Sequence, residues 1–268
     1  MKKKKKSHKD LAGKGHGRSY TPGLTVRDVP SRGLATRAKG WKTGRIHHFM
    51  SNLELSYFHV LEWATNVVDI REKYPLPIEA TMDIATRIGV KHPRKPKTQT
   101  PAQIYTDFVV DVEHHGRIEV RARTVIPEKE LSSRRMIERL EIERCYWDEQ
   151  GIDWGIVTEN EIPMDLSKNV EWVHSARDID GSGISIDQLL QVEPILFQRL
   201  TGSNDSLASC ALEVDSQVGF QPGTCLWITR FLIANRLWVV DMNVAIETSK
   251  PLLVSRAGAL SDFIEGVS

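Results

Sequence analysis

The sequence predicts an α/β protein of two domains, and three observations lead there: a helix–strand alternation over its first half, a turn-linked strand pair in the middle of that half, and a change to mainly helical periodicity after Pro163. At 268 residues the chain exceeds the ~100–200 residues of one ordinary core. The division reads as a basic arm over residues 1–45, an α/β domain over 46–163 and a smaller helical domain over 164–268.

The elements follow in order. Residues 1–45 are rich in Gly, Lys, Arg and Pro, with turns at Thr21-Pro22-Gly23 and Ser31-Arg32-Gly33, so little of this arm is expected in the core. From Ser51, Leu53, Tyr57, Phe58, Leu61 and Trp63 fall at helical spacing. An extended segment is expected at Val67–Tyr74, a second helix at Ile78–Ile88, and a polar, proline-containing loop at Lys91–Pro101. The runs Ile104–Val112 and Arg117–Val125 flank Glu113-His114-His115-Gly116 and predict an antiparallel pair. A long amphipathic helix from about Ser132 to Gln150 then leads through Gly151 into the apolar strand Trp154–Thr158. Beyond the boundary, helices are expected near 167–178, 186–200 and 206–217, then a Trp-containing apolar segment at 225–240 and a strand-like tail.

Composition narrows the function classes. Hydrophobic residues make up 40% and charged residues 26%, and the longest apolar runs fall short of the ~20 residues that span a bilayer. The lysine run Lys2–Lys6 is followed by no apolar stretch of signal-peptide type, so a cytoplasmic location is expected. Cys145, Cys210 and Cys225 form no C-x-x-C pair, which argues against a disulfide framework and a thiolate zinc site. Net charge is only +1, yet the first eighteen residues hold seven Lys, one Arg, two His and one acid. Such an arm gains affinity for polyanions by counterion release, which makes nucleic acid a natural partner, although a solvated tail has the same composition. No G-x-x-x-x-G-K-[ST] loop or G-x-S-x-G elbow is present, and His47-His48 and His114-His115 lack zinc-like spacing. Trp172, Trp227 and Trp238 read as core residues rather than base-stacking platforms.

One set of residues could hydrolyse a phosphodiester, a reaction that needs carboxylates to hold divalent cations and a positive group near the water or phosphate. Glu54 falls in the first turn of the first helix, Asp107 in the first strand of the pair, and Glu119-Val120-Arg121 in the second. Alternation puts Glu119 and Arg121 on one face. Each also has a structural reading: Ser51-Asn52-Leu53-Glu54 is a capping box, Glu119 and Arg121 suit a surface ion pair, and Asp107 suits a nearby turn.

The ordered segments Gly15-His16-Gly17-Arg18-Ser19-Tyr20, Leu24-Thr25-Val26, Lys42-Thr43-Gly44-Arg45-Ile46-His47-His48, Ser51-Asn52-Leu53-Glu54-Leu55, Asp69-Ile70-Arg71-Glu72, Gly89-Val90-Lys91-His92-Pro93, Thr106-Asp107-Phe108-Val109-Val110-Asp111, Leu140–Trp147 and Asn169-Val170-Glu171-Trp172 resemble the TnsA family of Tn7-type transposon endonucleases. The resemblance runs through the first domain and fades beyond residue 180. It implies a restriction-endonuclease-like core, a winged-helix-like C-terminal domain, and Mg²⁺-dependent cutting of the 5′ (non-transferred) strands at transposon ends, with Mn²⁺ as a substitute. It also implies as partners a TnsB-like DDE transposase and a TnsC-like ATP-dependent regulator. The alternatives are a catalytically degenerate adaptor between those two partners, and a free-standing structure-specific nuclease.

Residue by residue, the resemblance carries the family's helical Glu onto Glu54 and its strand Asp onto Asp107. The third element, an acid or amide, any residue, then lysine and usually proline, has two registers. Glu119-Val120-Arg121 keeps a carboxylate and a cation, and makes Glu54, Asp107 and Glu119 the metal ligands with Arg121 on water or phosphate. Thr124-Val125-Ile126-Pro127 needs almost no gap but supplies neither charge. The first register is preferred because it keeps the charge chemistry. Lys42 and Arg45, together with Lys91, Arg94, Lys95 and Lys97 of the following loop, are the expected DNA contacts.

Overall fold

The computed structural model describes residues 11–28 and 35–258. The run Lys2–Lys6 lies outside them. The chain divides into two compact units, Met1–Ile162 and Pro163–Ser268.

The first unit is built on a four-stranded sheet in the order β3 (Val67–Pro75), β4 (Tyr105–His114), β5 (Arg117–Val125), β6 (Asp153–Val157). β3, β4 and β5 are antiparallel, and β6 joins β5 in parallel after the long helix α3 (Arg134–Glu149). The β4–β5 turn is tight because His115 and Gly116 both take left-handed φ, 50° and 75°, which matches a primed hairpin turn. β4 is buried along nearly its whole length, as a central strand covered on both faces must be. On one face, α1 (Asn52–Trp63) and strand β2 (Ile46–Phe49) pack Phe49, Phe58 and Leu61 on Ile70, Phe108, Val110 and Val125. On the other, α2 (Ile78–Arg87) and α3 pack Ile84, Ile142 and Trp147 on Val109 and Ala122.

The N-terminal segment departs from the expected arm. β1 (Thr36–Lys39) pairs with β2, and among residues 11–28 Tyr20 is buried, its hydroxyl donating to the Glu72 carbonyl at 3.1 Å. Gly17 N–H donates to both Asp69 oxygens and Gly23 N–H to the Lys73 carbonyl. The segment is held by the buried rings of Tyr20 and Pro22 and by hydrogen bonds from its backbone N–H groups to β3, which leave no periodic hydrophobic trace in the sequence.

Beneath it lies a buried ionic network. Arg45 reaches Glu72 with both terminal nitrogens, the Ile70 carbonyl at 2.8 Å, and the face of Tyr20 at 5.0 Å. His47 Nδ1 lies 2.9 Å from Glu72 Oε2, and its Nε2 lies 2.7 Å from the Thr43 hydroxyl. Burial pushes His47 below its ordinary value, so the neutral ring donates to Glu72 and Arg45 carries the compensating charge. Burial alone would raise Glu72, but the hydrogen bonds from Arg45 and His47 outweigh it and hold the carboxyl at about 2. A carboxyl depressed in the folded state stabilises the fold above its unfolded value and loses that contribution as pH falls through its folded value. Wild-type stability is therefore expected to drop by roughly 3 kcal/mol from Glu72 alone between about pH 4.5 and pH 2. Urea midpoints across that range check this, and Glu72→Gln should flatten the acid limb.

The second unit is helical: α4 (Met164–His174), α5 (Ile186–Thr201), α6 (Leu207–Val218) and α7 (Thr224–Ala234), followed by the short pair β7 (Trp238–Val239) and β8 (Ser255–Arg256). Ser185 and Gln188 form a reciprocal capping box at the start of α5. α6 ends at Gly219 with φ 75°, and Asp215 turns back to accept the N–H groups of Gly223 and Cys225 at the start of α7. Trp238 is buried, as expected, with its indole N–H on Glu193, which also accepts Arg256 from β8. Trp227 is only partly covered, beside Phe231, and Trp172 lies under Arg230. Among the described residues, no helix is long and apolar enough to cross a membrane.

Candidate active site

Glu54 and Asp107 meet. Ser51 caps α1 by accepting the Glu54 N–H at 3.1 Å, which places the Glu54 side chain at the helix start. Its carboxylate accepts the Ser51 hydroxyl and the Met50 N–H. The capping role and the site role are thus one geometry. Asp107 Oδ2 accepts the Val125 N–H at 2.9 Å from β5, and its Oδ1 lies 2.6 Å from Lys73 Nζ. The same ammonium is 2.9 Å from Glu54 Oε2. All three side chains are buried at the wall of an open cleft of ≈ 520 Å³.

The backbone explains how a lysine of β3 gets there. Glu72 lies towards β2 and Tyr74 against Trp147 on α3, although regular alternation would put them on one face. Between them Lys73 has φ 52°, a left-handed conformation uncommon outside glycine. The partner strand shows the same break: Thr106 donates to Glu143 on α3, whereas Phe108 packs into the α1-side core. Lys73 and Asp107 are at this interruption, and Gly23 fits against it because a Cβ there would lie 2.9 Å from the Lys73 carbonyl oxygen.

Charge in the cluster is tightly compensated. Burial raises Glu54, Asp107 adds to the rise, and Lys73 opposes both. Burial works to lower Lys73, but Asp107 and Glu54 outweigh it and hold the ammonium well above the ordinary lysine value. Behind Thr106 and Thr124, Glu143 is wholly buried and accepts both hydroxyls, at 2.7 and 2.5 Å, while burial pushes it up.

Glu119 and Arg121, the charged residues of the preferred register, are not brought to this cluster. Glu119 pairs across from Val112, five residues beyond Asp107 on β4, or roughly 16 Å at ~3.3 Å per residue. Arg121 pairs across from Val110. They do share a face, and they form a half-exposed ion pair of 3.2 Å. The side chains beside Asp107 are instead Thr124, Val125 and Ile126, which line the cleft and carry no charge. Alternation correctly gives the shared face of Glu119 and Arg121, but the register that decides which β5 residues oppose Asp107 is a long-range pairing.

The expected DNA contacts divide as well. Lys91, Arg94, Lys95 and Lys97 are exposed on the loop between α2 and β4, whose Pro93 lines the cleft. Arg45 is engaged in the core network, its side chain 8% exposed, and Lys42 donates to the Ala64 carbonyl at the end of α1. Both serve the fold at these positions.

Two buried carboxylates converging on one cation suit a divalent metal, since Mg²⁺ accepts one or two carboxylates and completes its shell with water and phosphate oxygens. A second acidic group, Asp69 and Asp111 near His16, is a poorer fit because Arg71 already pairs with both aspartates.

Comparison with known proteins agrees with this architecture. A family profile described as TnsA-like endonuclease N terminal matches residues 64–159, and one described as TnsA endonuclease C terminal matches residues 161–242. The chain is 37% identical over 228 residues to the Escherichia coli protein named transposon Tn7 transposition protein TnsA, covering 85% of this chain and 81% of that protein.

Proposed function

Since the chain belongs to the TnsA endonuclease family, we propose that it is the subunit of a heteromeric transposase that cuts the 5′ (non-transferred) strands at transposon ends, with Mg²⁺ as cofactor and Mn²⁺ as a substitute. The observation that supports this most is the convergence of Glu54 and Asp107 at the wall of an open cleft. Bound at these carboxylates, Mg²⁺ would lower the pKa of water and offset charge that develops on the phosphate. Asp107 would hold the ion from β4 and Glu54 from the start of α1. In the reaction the water gives up a proton as its oxygen bonds to phosphorus, the bond from phosphorus to the leaving oxygen breaks, and that oxygen takes up a proton.

DNA enters over the loop that carries Lys91, Arg94, Lys95 and Lys97, which contact phosphates without reading sequence. Each phosphate contact adds about 0.9 to the slope of log K against log salt, so replacing all four by Ala should flatten that slope by up to roughly 3–4. Binding titrations to transposon-end DNA at several salt concentrations check this; an unchanged slope removes the loop from the interface. The helical unit Pro163–Ser268, with its β7–β8 pair after α7, is read as a winged-helix-like interaction domain.

The deciding experiment reconstitutes the protein with its TnsB-like transposase and TnsC-like regulator on transposon-end DNA, with Mg²⁺ or with EDTA, and maps nicks on both strands. Metal-dependent 5′-strand nicks support the nuclease. Assemblies that join 3′ ends while leaving the 5′ strands whole would identify an adaptor instead, a reading favoured by the uncharged Thr124-Val125-Ile126 beside Asp107. Cutting by the isolated protein would point to a free-standing nuclease.

A further inference from the structure

We propose that Lys73, delivered from β3 by a left-handed backbone, is the active-site cation of this nuclease, acting on the scissile phosphate and its attacking water beside Glu54 and Asp107. The inference rests on the nuclease reading above and adds the residue that supplies its positive group.

Three features of the site lead to it. First, Lys73 Nζ is within hydrogen-bonding distance of both carboxylates, at 2.6 and 2.9 Å. The other cationic side chain lining the cleft, Arg139, is directed to the Tyr105 carbonyl at 3.3 Å and to Glu143 at 3.8 Å. Second, β5 brings no charge to Asp107. Thr124 spends its hydroxyl on Glu143, Val125 offers only its N–H, and Ile126 is apolar and buried. Among the described residues, Lys73 is the cation that reaches both carboxylates of this cleft, and phosphodiester hydrolysis needs a positive group there. Third, the placement is built. A non-glycine residue at φ 52° in mid-strand is held only where its surroundings over-determine it, and at Lys73 the Gly23 N–H clamps the carbonyl at 2.9 Å.

Charge balance agrees. Glu54, Asp107 and Lys73 sum to one negative charge, a divalent ion turns that to one positive, and a phosphodiester brings the total to neutral. A lysine of this kind is a compact donor that points its ammonium at phosphate or water oxygens without needing to be a metal ligand.

The test uses Lys73→Gln, Lys73→Arg and the double variant Lys73→Gln with Ile126→Lys, each in the full assembly on transposon-end DNA. Mg²⁺ binding to each variant is measured separately by calorimetric titration. Lys73→Gln is expected to lose at least 100-fold in 5′-strand cutting while binding Mg²⁺ as tightly as wild type or several-fold tighter, because a repelling charge has gone. Lys73→Arg keeps the buried charge, so it tests the role without a folding defect; cutting should fall at least tenfold at unchanged Tm and Mg²⁺ affinity. Recovery of tenfold or more in the double variant would show that the cleft needs an ammonium and not the β3 side chain as such. Lys73→Arg cutting at the wild-type rate, or Lys73→Gln cutting within threefold of it, would reduce Lys73 to a structural counter-ion. A wild type that binds no Mg²⁺ while Lys73→Gln does would make the lysine a replacement for the metal and overturn the proposal too. If the wild type itself leaves 5′ strands uncut, the nuclease reading falls and this role with it; if the wild type cuts and the Lys73 variants cut as well as it does, the nuclease reading stands and only the role of Lys73 falls.

Discussion

Asp107→Asn is expected to reduce 5′-strand cutting at least ~10³-fold in the assembled complex, about 4 kcal/mol of transition-state stabilisation, while joining of the 3′ ends by the partner transposase continues. Asparagine is the informative substitution because its amide oxygen can still accept the Val125 N–H, which Asp107 Oδ2 accepts at 2.9 Å. It keeps the volume of a side chain that is 7% exposed and removes the negative charge that faces Lys73 and would face a metal. Metal-held chemistry is worth several kcal/mol, and a neutral oxygen at that position recovers little of it. The matching control is the Glu119–Arg121 pair. Both side chains are half exposed and contribute an ordinary surface ion pair, worth ~0–1 kcal/mol. Glu119→Gln and Arg121→Ala are therefore expected to leave cutting within about twofold of wild type on the rate scale of that energy. Strand-specific nick mapping on labelled ends checks all three variants. Full cutting by Asp107→Asn removes Asp107 from the metal site, and a loss in Arg121→Ala comparable to that in Asp107→Asn would return the third element to Glu119-Val120-Arg121.

The elements of the first unit are legible in the sequence because each is set by neighbours in the chain. The spacing of Leu53, Tyr57, Phe58 and Leu61 gives α1, and the turn-forming His115-Gly116 between two β-branched runs gives the β4–β5 hairpin. Glu54 and Asp107 are legible for the same reason: one is three residues from a capping serine, the other sits in a run that can only be a buried strand. Lys73 is not. In Asp69-Ile70-Arg71-Glu72-Lys73-Tyr74 it reads as one more charge on the face of Asp69 and Arg71, and nothing local announces that its φ is 52° or that Gly23 braces it. The pairing of Asp107 with Val125 rather than with the Glu119 region depends on how two strands slide past each other, and the packing of the whole sheet decides that. The N-terminal segment is not legible in the sequence because its anchorage is made of backbone N–H hydrogen bonds to β3 and the isolated buried rings of Tyr20 and Pro22.

Arg45 gives the second large effect, on stability. Arg45→Ala should lower the stability of the first unit by roughly 3–5 kcal/mol, the cost of removing one partner from a buried ion pair. Glu72 is fully buried, and without Arg45 its carboxylate keeps only the neutral His47 ring and the His48 N–H. The Ile70 carbonyl loses its donor and Tyr20 the cation stacked on its ring. For a unit of this size each kcal/mol corresponds to about 2–4 °C, so Tm should fall by ~6–20 °C. Arg45→Lys should recover only part of this, because one ammonium cannot span both Glu72 oxygens and the Ile70 carbonyl as the planar guanidinium does. The loop cations Lys91, Arg94, Lys95 and Lys97 predict the opposite signature, since their removal should leave Tm unchanged and flatten the salt dependence of DNA binding. Measuring Tm and salt slope on the same Arg45→Ala preparation separates the two kinds of cation: a lowered Tm with an intact slope assigns Arg45 to the fold, and a flattened slope at wild-type Tm assigns it to the DNA.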